Sequence, residues 1–416
     1  MKIVLINHSF QVRYFYRRWQ LFAETYPDID VTLLAPEQYE WYKDKEYTYD
    51  GGKVLNAKII DEKNFHIRTF RAVYPKKGDW TSPDFKDLFL EIHPDIIYNI
   101  GTHQQASLLQ IISIVKKNLP HTKLMCFSMR GPCHDLKIPQ ISCNLYRYMR
   151  EYWAYYRQRK SLQKVNRNMD AIFCHYPDAF DSFRKEGYTG PLYMQTQVGV
   201  NEEWFHEDII ARMEIREKFN LGDSYVFGSA SRFTKDKGID DILNALPQNG
   251  NWKYLLMGKG SDEDIQRLSN IIDERGLTGK VIMTGFVDWY EISKYWNAID
   301  CAIHVPRTTE HWVETFSLAA VQPQLTKKPV IGNTSGSVPY QIGFKEFILP
   351  EGDIEALRNK IIEVVNNPEH ASVYGLRMFE RVQKSFEVKA LNELFYTTIN
   401  DIMSGIYDIN KIDMVR

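Results

Sequence analysis

Cysteine is scarce and unpatterned in this 416-residue chain. There are five (Cys126, Cys133, Cys143, Cys174 and Cys301), an odd number with no CxxC pair. That argues against a disulfide framework and for reduced thiols in a cytosolic setting. No run approaches the ~18 apolar residues of a membrane span. The opening stretch, MKIVLINHSF, reads as a strand and not as a secretory signal. Neither sign of charge prevails: the net charge is -1, which argues against a nucleic-acid binder. No GxGxxG or Walker loop is present, and no His/Cys/Asp spacing suits zinc. The expectation is a soluble cytoplasmic protein with no metal and no cofactor, with room for a peripheral place at the inner face of the plasma membrane.

What the chain does have is apolar content, 44% of residues, in short runs at regular intervals. Its length predicts two or three domains at about 150 residues each. KIVLINH (2–8), VTLLAP (31–36), DIIYNIG (95–101), KLMCFSM (123–129), AIFCHY (171–176) and LYMQTQV (192–198) read as buried strands. Residues 11–25 carry a helical pattern with Arg13, Arg17 and Arg18, whereas 37–80 read as irregular. A second set follows: YVFGSAS (225–231), YLLMG (254–258), KVIMTGF (280–286), CAIHV (301–305), PVIGN (329–333) and FILP (347–350). Helical stretches at 238–246, 262–275, 290–299 and 317–325 separate them. Strands alternating with helices predict doubly wound parallel sheets. The domains are expected at 1–200 and 201–375, with a helical segment, 376–416, returning to the first. The segment 144–168 interleaves Tyr and Trp with Arg and Lys. It reads either as a solvated helix with its aromatics turned inward or as a basic surface for an anionic membrane or acceptor.

Four places can carry chemistry. In Ser231–Gly238 (SRFTKDKG), Arg232 offers a fork and Lys237 a point charge, together a clamp for a diphosphate. In Glu314–Leu318 (ETFSL), an acid stands beside the start of a helix. There the amides of Thr315, Phe316, Ser317 and Leu318 can meet phosphate. Gly285, Phe286 and Val287 close a strand whose backbone can read a nucleobase edge. His8, His103, His134 and His175 stand at strand ends, where an imidazole can serve an acceptor. Each has a plainer reading as solvated loop, dipole partner, strand end or structural histidine.

Taken together, these residues resemble the retaining glycosyltransferases of the GT-B fold, the large family with an E-x7-E motif (glycosyltransferase family 4-like). The likeness covers residues 195–350 best. It rests on Arg232 with Lys237-Gly238, on Gly285-Phe286, on ETFSL from Glu314, on Pro329-Val330 and on QVGVNEEWF (197–205) between the halves. The resemblance implies an α/β fold of two Rossmann-like, doubly wound domains facing a cleft, the first for the acceptor and the second for the donor. It implies transfer from a nucleotide-diphosphate sugar, UDP favoured, to a glycan or lipid-linked acceptor. Arg232 and Lys237 would bind the diphosphate, Glu314 the donor sugar and Gln322 the ribose. His103 would act in catalysis, and His8, Arg130 and His134 would lie on the acceptor side. Departures stand out: Gln322 replaces the second Glu, Thr315 and Ser317 replace two glycines, and Tyr340 stands where a later Glu is usual. They leave room for a non-catalytic nucleotide-sugar-binding partner, and the same fold also serves a retaining sugar phosphorylase or a nucleotide-sugar epimerase as alternatives.

Overall fold

The computed structural model describes residues 1–39, 55–76, 79–101, 106–129, 131–132, 136, 138–139, 144–310 and 312–407. The chain forms two compact units. One holds the described residues of Met1–Glu46, Gly52–Val198 and Leu391–Arg416; the other holds Gly199–Ala390.

The first unit is built on an eight-stranded sheet. From edge to edge its strands are Leu192–Met194, Ala171–Cys174, Lys123–Ser128, Ile96–Ile100, Lys2–Ile6, Asp30–Pro36, Phe65–Phe70 and Ile60–Glu62. All pair in parallel except the last, which runs antiparallel at the edge. The central strands are apolar along their length because helices cover both faces. The last two strands fall inside 37–80, read above as irregular. There Phe65, Ile67 and Phe70 are buried between the polar His66, Arg68 and Thr69. That alternation is a strand signal hidden among charged neighbours.

The C-terminal helix Val388–Met403 completes this core with Phe395, Ile399 and Ile402 on one face. Phe395 meets Trp19 at a ring distance of 5.1 Å and Tyr98 at 5.7 Å. Arg18, also buried, fixes the start of that stretch. Its guanidinium donates to Asn392 Oδ1 (3.1 Å), the Leu391 carbonyl (3.2 Å) and the Thr196 carbonyl (2.8 Å). The chain joins this unit at Leu391, not at residue 376 as expected. Residues 376–390 stay with the second unit because Met378 and Val382 are fully buried on helix Pro368–Ser385, and Met378 Sδ accepts from Val330 N.

The second unit carries a six-stranded parallel sheet in the order Val281–Gly285, Trp252–Met257, Tyr225–Ala230, Cys301–His304, Val330–Asn333, Ile348–Leu349. Cys126, Cys174 and Cys301 are buried free thiols, and burial pushes all three up. Cys133 and Cys143 lie outside the described residues. Among the described residues no helix is long and apolar enough to cross a membrane.

Candidate functional site

The order of the second sheet reverses between Tyr225–Ala230 and Cys301–His304, which lie side by side although some seventy residues separate them in sequence. Connections leave these two strands in opposite directions, so a crevice opens beyond their carboxyl ends. The two segments leaving those ends are 231–238 and 305–317, the stretches that hold Arg232, Lys237 and Glu314.

Lys237 Nζ lies 3.0 Å from Glu314 Oε2, and both side chains are largely buried. The ammonium also sits 4.0 Å above the centre of the Trp312 ring. His304 Nε2 approaches the same carboxylate oxygen at 3.7 Å, longer than a good hydrogen bond. Burial raises the Glu314 carboxyl, but the His304 ring and the Lys237 ammonium more than offset it and bring it down to about 2.

Two glycines make this arrangement possible. The turn Lys235–Lys237 ends at Gly238, whose φ is 69°, and a Cβ there would stand 1.9 Å from the Val305 carbonyl oxygen. Only glycine lets the loop pass so close to the end of the neighbouring strand. Gly336, φ 50°, presses on the other side, where a Cβ would meet the Glu314 carbonyl at 2.1 Å. That carbonyl accepts from Ser337 N (2.8 Å), so the segment after Val330–Asn333 holds Glu314 from behind.

Ionised in the fold at about 2, against an ordinary 4.5, Glu314 binds its proton more weakly folded than unfolded. Its contribution to stability is therefore complete above about pH 4.5 and lost as pH falls towards 2, by on the order of 3 kcal/mol. We expect the difference in unfolding free energy between wild type and Glu314→Gln, measured from neutral pH down to acid, to shrink across that window. A difference that does not change with pH there would contradict the assignment.

Arg232 is exposed on the same loop as Lys237 and makes no ion pair among the described residues. Gly285 ends its strand with φ 78°, and its carbonyl accepts from Gly258 N. Phe286 beside it is 47% exposed, with the Lys259 ammonium 5.6 Å from its ring. Val287 is half-buried.

The expected row of helix-start amides is smaller than the motif suggested. The helix spans Leu318–Leu325, and Ser317 N donates to Gln341 Oε1 at 2.9 Å. Gln341 Nε2 returns a bond to the Ser317 carbonyl (2.9 Å), and Ser337 Oγ donates to the same side chain. This closed network takes the Ser317 amide away from any ligand. The amides of Thr315 and Leu318 have no such partner among the described residues. Phe316 packs its ring 5.7 Å from Phe386. Gln322 is only 2% exposed, and its Oε1 accepts from Trp296 Nε1 at 3.1 Å. It stands in the interior of the unit beside Trp296. The helix forces this, because Ala320, Val321, Pro323, Gln324 and Leu325 are all buried around it.

His8 follows strand Lys2–Ile6, at the reversal point of the first sheet. Desolvation lowers its imidazole to about 4, which keeps the ring neutral near pH 7. His175 is buried 3.4 Å from Thr196 Oγ1. His103, Arg130 and His134 lie outside the described residues. His304 and Trp312 were not among the expected site residues. His304 left one trace, a polar residue in the apolar run CAIHV; Trp312 left none. Among the described residues no cluster of His, Cys, Asp or Glu could hold a metal ion.

Residues 211–377, which contain the whole Lys237–Glu314 arrangement, match the family model described as Glycosyl transferases group 1. The fold is GT-B. The chain is similar over 97% of its length to all of sucrose-phosphate synthase from Thermosynechococcus elongatus, with a TM-score of 0.68 and 16% identity. It is similar over 96% of its length to all of HepE from Anabaena, solved in complex with UDP, again with a TM-score of 0.68 and 16% identity. Among curated sequences it is 23% identical over 184 residues to a GDP-mannose-dependent alpha-(1-6)-phosphatidylinositol monomannoside mannosyltransferase of Mycolicibacterium smegmatis. That match covers 43% of this chain and spans about half the length of the relative, 48%. Within the GT-B fold, the group 1 match falls on the second unit, the one with the better-defined site.

Proposed function

We propose that this protein is a retaining glycosyltransferase that moves a sugar from a nucleotide-diphosphate sugar to a glycan or lipid-linked acceptor. The observation that carries the reading is the buried Lys237–Glu314 pair at the sheet's reversal point, with Arg232, in no ion pair among the described residues, on the same loop. As the anomeric bond breaks, negative charge grows on the diphosphate. Arg232, Lys237 and the amides of Thr315 and Leu318 stabilise it, and fixed donors of this kind need no reorganisation when the charge appears. Glu314, held as a carboxylate, accepts from hydroxyls of the donor sugar. Acceptor and leaving group share one face, so configuration is kept, and the departing phosphate takes the acceptor's proton. Side-chain cations here do the work that a divalent ion does in other transfers. UDP is the first candidate base carrier, and GDP is the alternative that the mycobacterial relative suggests.

A thermal-shift series with UDP, GDP and their sugar conjugates identifies the donor, because ligand binding stabilises the fold by RT ln(1 + [L]/Kd). With that donor, Arg232→Ala is expected to lower turnover by about 10²–10³ while leaving the unfolding midpoint unchanged, since Arg232 is exposed and in no ion pair among the described residues. Undiminished turnover would refute the assignment. A second reading, a nucleotide-sugar-binding partner without turnover, is favoured by the buried Gln322 and the occupied Ser317 amide. Tight nucleotide binding with no transfer or donor hydrolysis would support it.

A further inference from the structure

Helix Leu145–Asn168 has a polarity that a solvated helix does not need. Its inner side is anchored by the buried Leu162 and Val165 and by Asn166 Nδ2 to the Glu186 carbonyl (3.1 Å), while Lys164 reaches round from the flank to donate to Ser113 Oγ (3.0 Å). Followed back, the same stripe passes through Gln158, Tyr155, Glu151 and Tyr148, all half-buried. The opposite side should be polar. Over the first three turns it is instead Leu145, Tyr146, Met149, Tyr152, Trp153 and Tyr156, which are between 41% and 79% exposed. At about 100° per residue these six fall in an arc of roughly 120°, turned away from the buried stripe.

Charge says what covers this face. The helix carries seven cations (Arg147, Arg150, Arg157, Arg159, Lys160, Lys164, Arg167) and one acid, Glu151, in a chain whose net charge is -1. The acid is already paired, to Arg147 Nε at 2.8 Å. Arg150 and Arg157 flank the apolar arc, and Lys160 continues it, lying 5.0 Å over the Tyr156 ring. A second copy of the chain would set two such cationic helices against each other, which like-charge repulsion opposes. An anionic surface that also accepts aromatic rings fits both properties. Tyr and Trp settle at the boundary of headgroup and acyl chain, and Arg and Lys reach the phosphates around them.

We infer that helix Leu145–Asn168 docks the protein on an anionic lipid bilayer, with Tyr146, Met149, Tyr152, Trp153 and Tyr156 entering the interface. This goes beyond the proposed transfer and is independent of it, because vesicle binding needs no donor and no turnover. The test is flotation of the full chain with vesicles of phosphatidylcholine alone or equimolar with phosphatidylglycerol. Binding is expected to the anionic vesicles and to weaken as salt is raised. Arg150→Gln with Arg157→Gln should lower partition about five-fold each, roughly 25-fold together. Met149→Ser with Trp153→Ser should lower it tenfold or more. These side chains are exposed, so unchanged circular dichroism and unfolding midpoint will show the variants folded. No flotation of the wild type, or equal flotation on neutral vesicles with no loss in the arginine variants, would overturn the inference. So would a dimer seen by light scattering that the Met149/Trp153 variant abolishes.

Discussion

Lys237→Ala is expected to lower both turnover and stability, unlike Arg232→Ala. Lys237 lies 3.0 Å from Glu314 Oε2, with side-chain exposures of 13% and 9% for the two. Removing the ammonium leaves a buried carboxylate without its counter-charge, and breaking a buried pair from one side costs about 3–5 kcal/mol. On the proposed mechanism turnover should fall by about 10³ or more, because the lost charge would also face the developing diphosphate. A second substitution separates the two effects. In Lys237→Ala with Glu314→Gln, the orphan charge is gone, so much of the lost stability should return while turnover stays low. Chemical unfolding of the four forms of this cycle, beside transfer assays, measures both. If the single variant keeps wild-type stability, the pair is not buried as described; if the double variant regains turnover, Lys237 has no part in transfer.

Gly238→Ala is the second large effect, and it acts through the backbone. The new Cβ would stand 1.9 Å from the Val305 carbonyl at a φ of 69°. A backbone oxygen cannot swing aside as the end of a side chain can. The strain of a positive φ in a non-glycine residue adds about 1–2 kcal/mol, and overpacking adds about 1–3 kcal/mol. We expect a loss of about 2–5 kcal/mol in unfolding free energy. We also expect a drop in turnover of about 10²-fold, since relief of the clash moves Lys237 relative to Glu314, and misplacement by about 1 Å has that effect. Gly276→Ala is the control: its φ is 64°, but nothing lies within 4 Å of its Cβ, so only the backbone strain remains. Equal losses in the two variants would show that close approach to Val305 does not matter.

Most of the parallel strands were legible because each is a short, nearly continuous apolar run, which is what a strand buried on both faces requires. Strand Phe65–Phe70 escaped notice because it is polar on alternate positions and lies beside charged residues. The site was legible as spacing: Arg232, Lys237-Gly238 and Glu314 follow strands whose ends can be read from the chain. It was not legible as contact. That Lys237 and Glu314 meet, 77 positions apart, depends on which strands are neighbours at the reversal of the sheet. His304 joins them only because its strand ends there. Gln322 matched a motif position, yet the helix turns it towards Trp296. Ser317 looked like a free helix start, yet Gln341, 24 residues on, occupies its amide.

The amino-acid sequence alone therefore determined the alternation of strand and helix, the places where loops carry cations or an acid, and the glycine at which one loop turns. These follow from periodicity and backbone stereochemistry, which act between near neighbours. The tertiary structure alone decided which charges are paired, which amides are taken and which aromatic rings are left outside on helix Leu145–Asn168. Those outcomes depend on packing between residues distant in the chain, where burial strengthens a charge pair and consumes a hydrogen bond in ways no local pattern records.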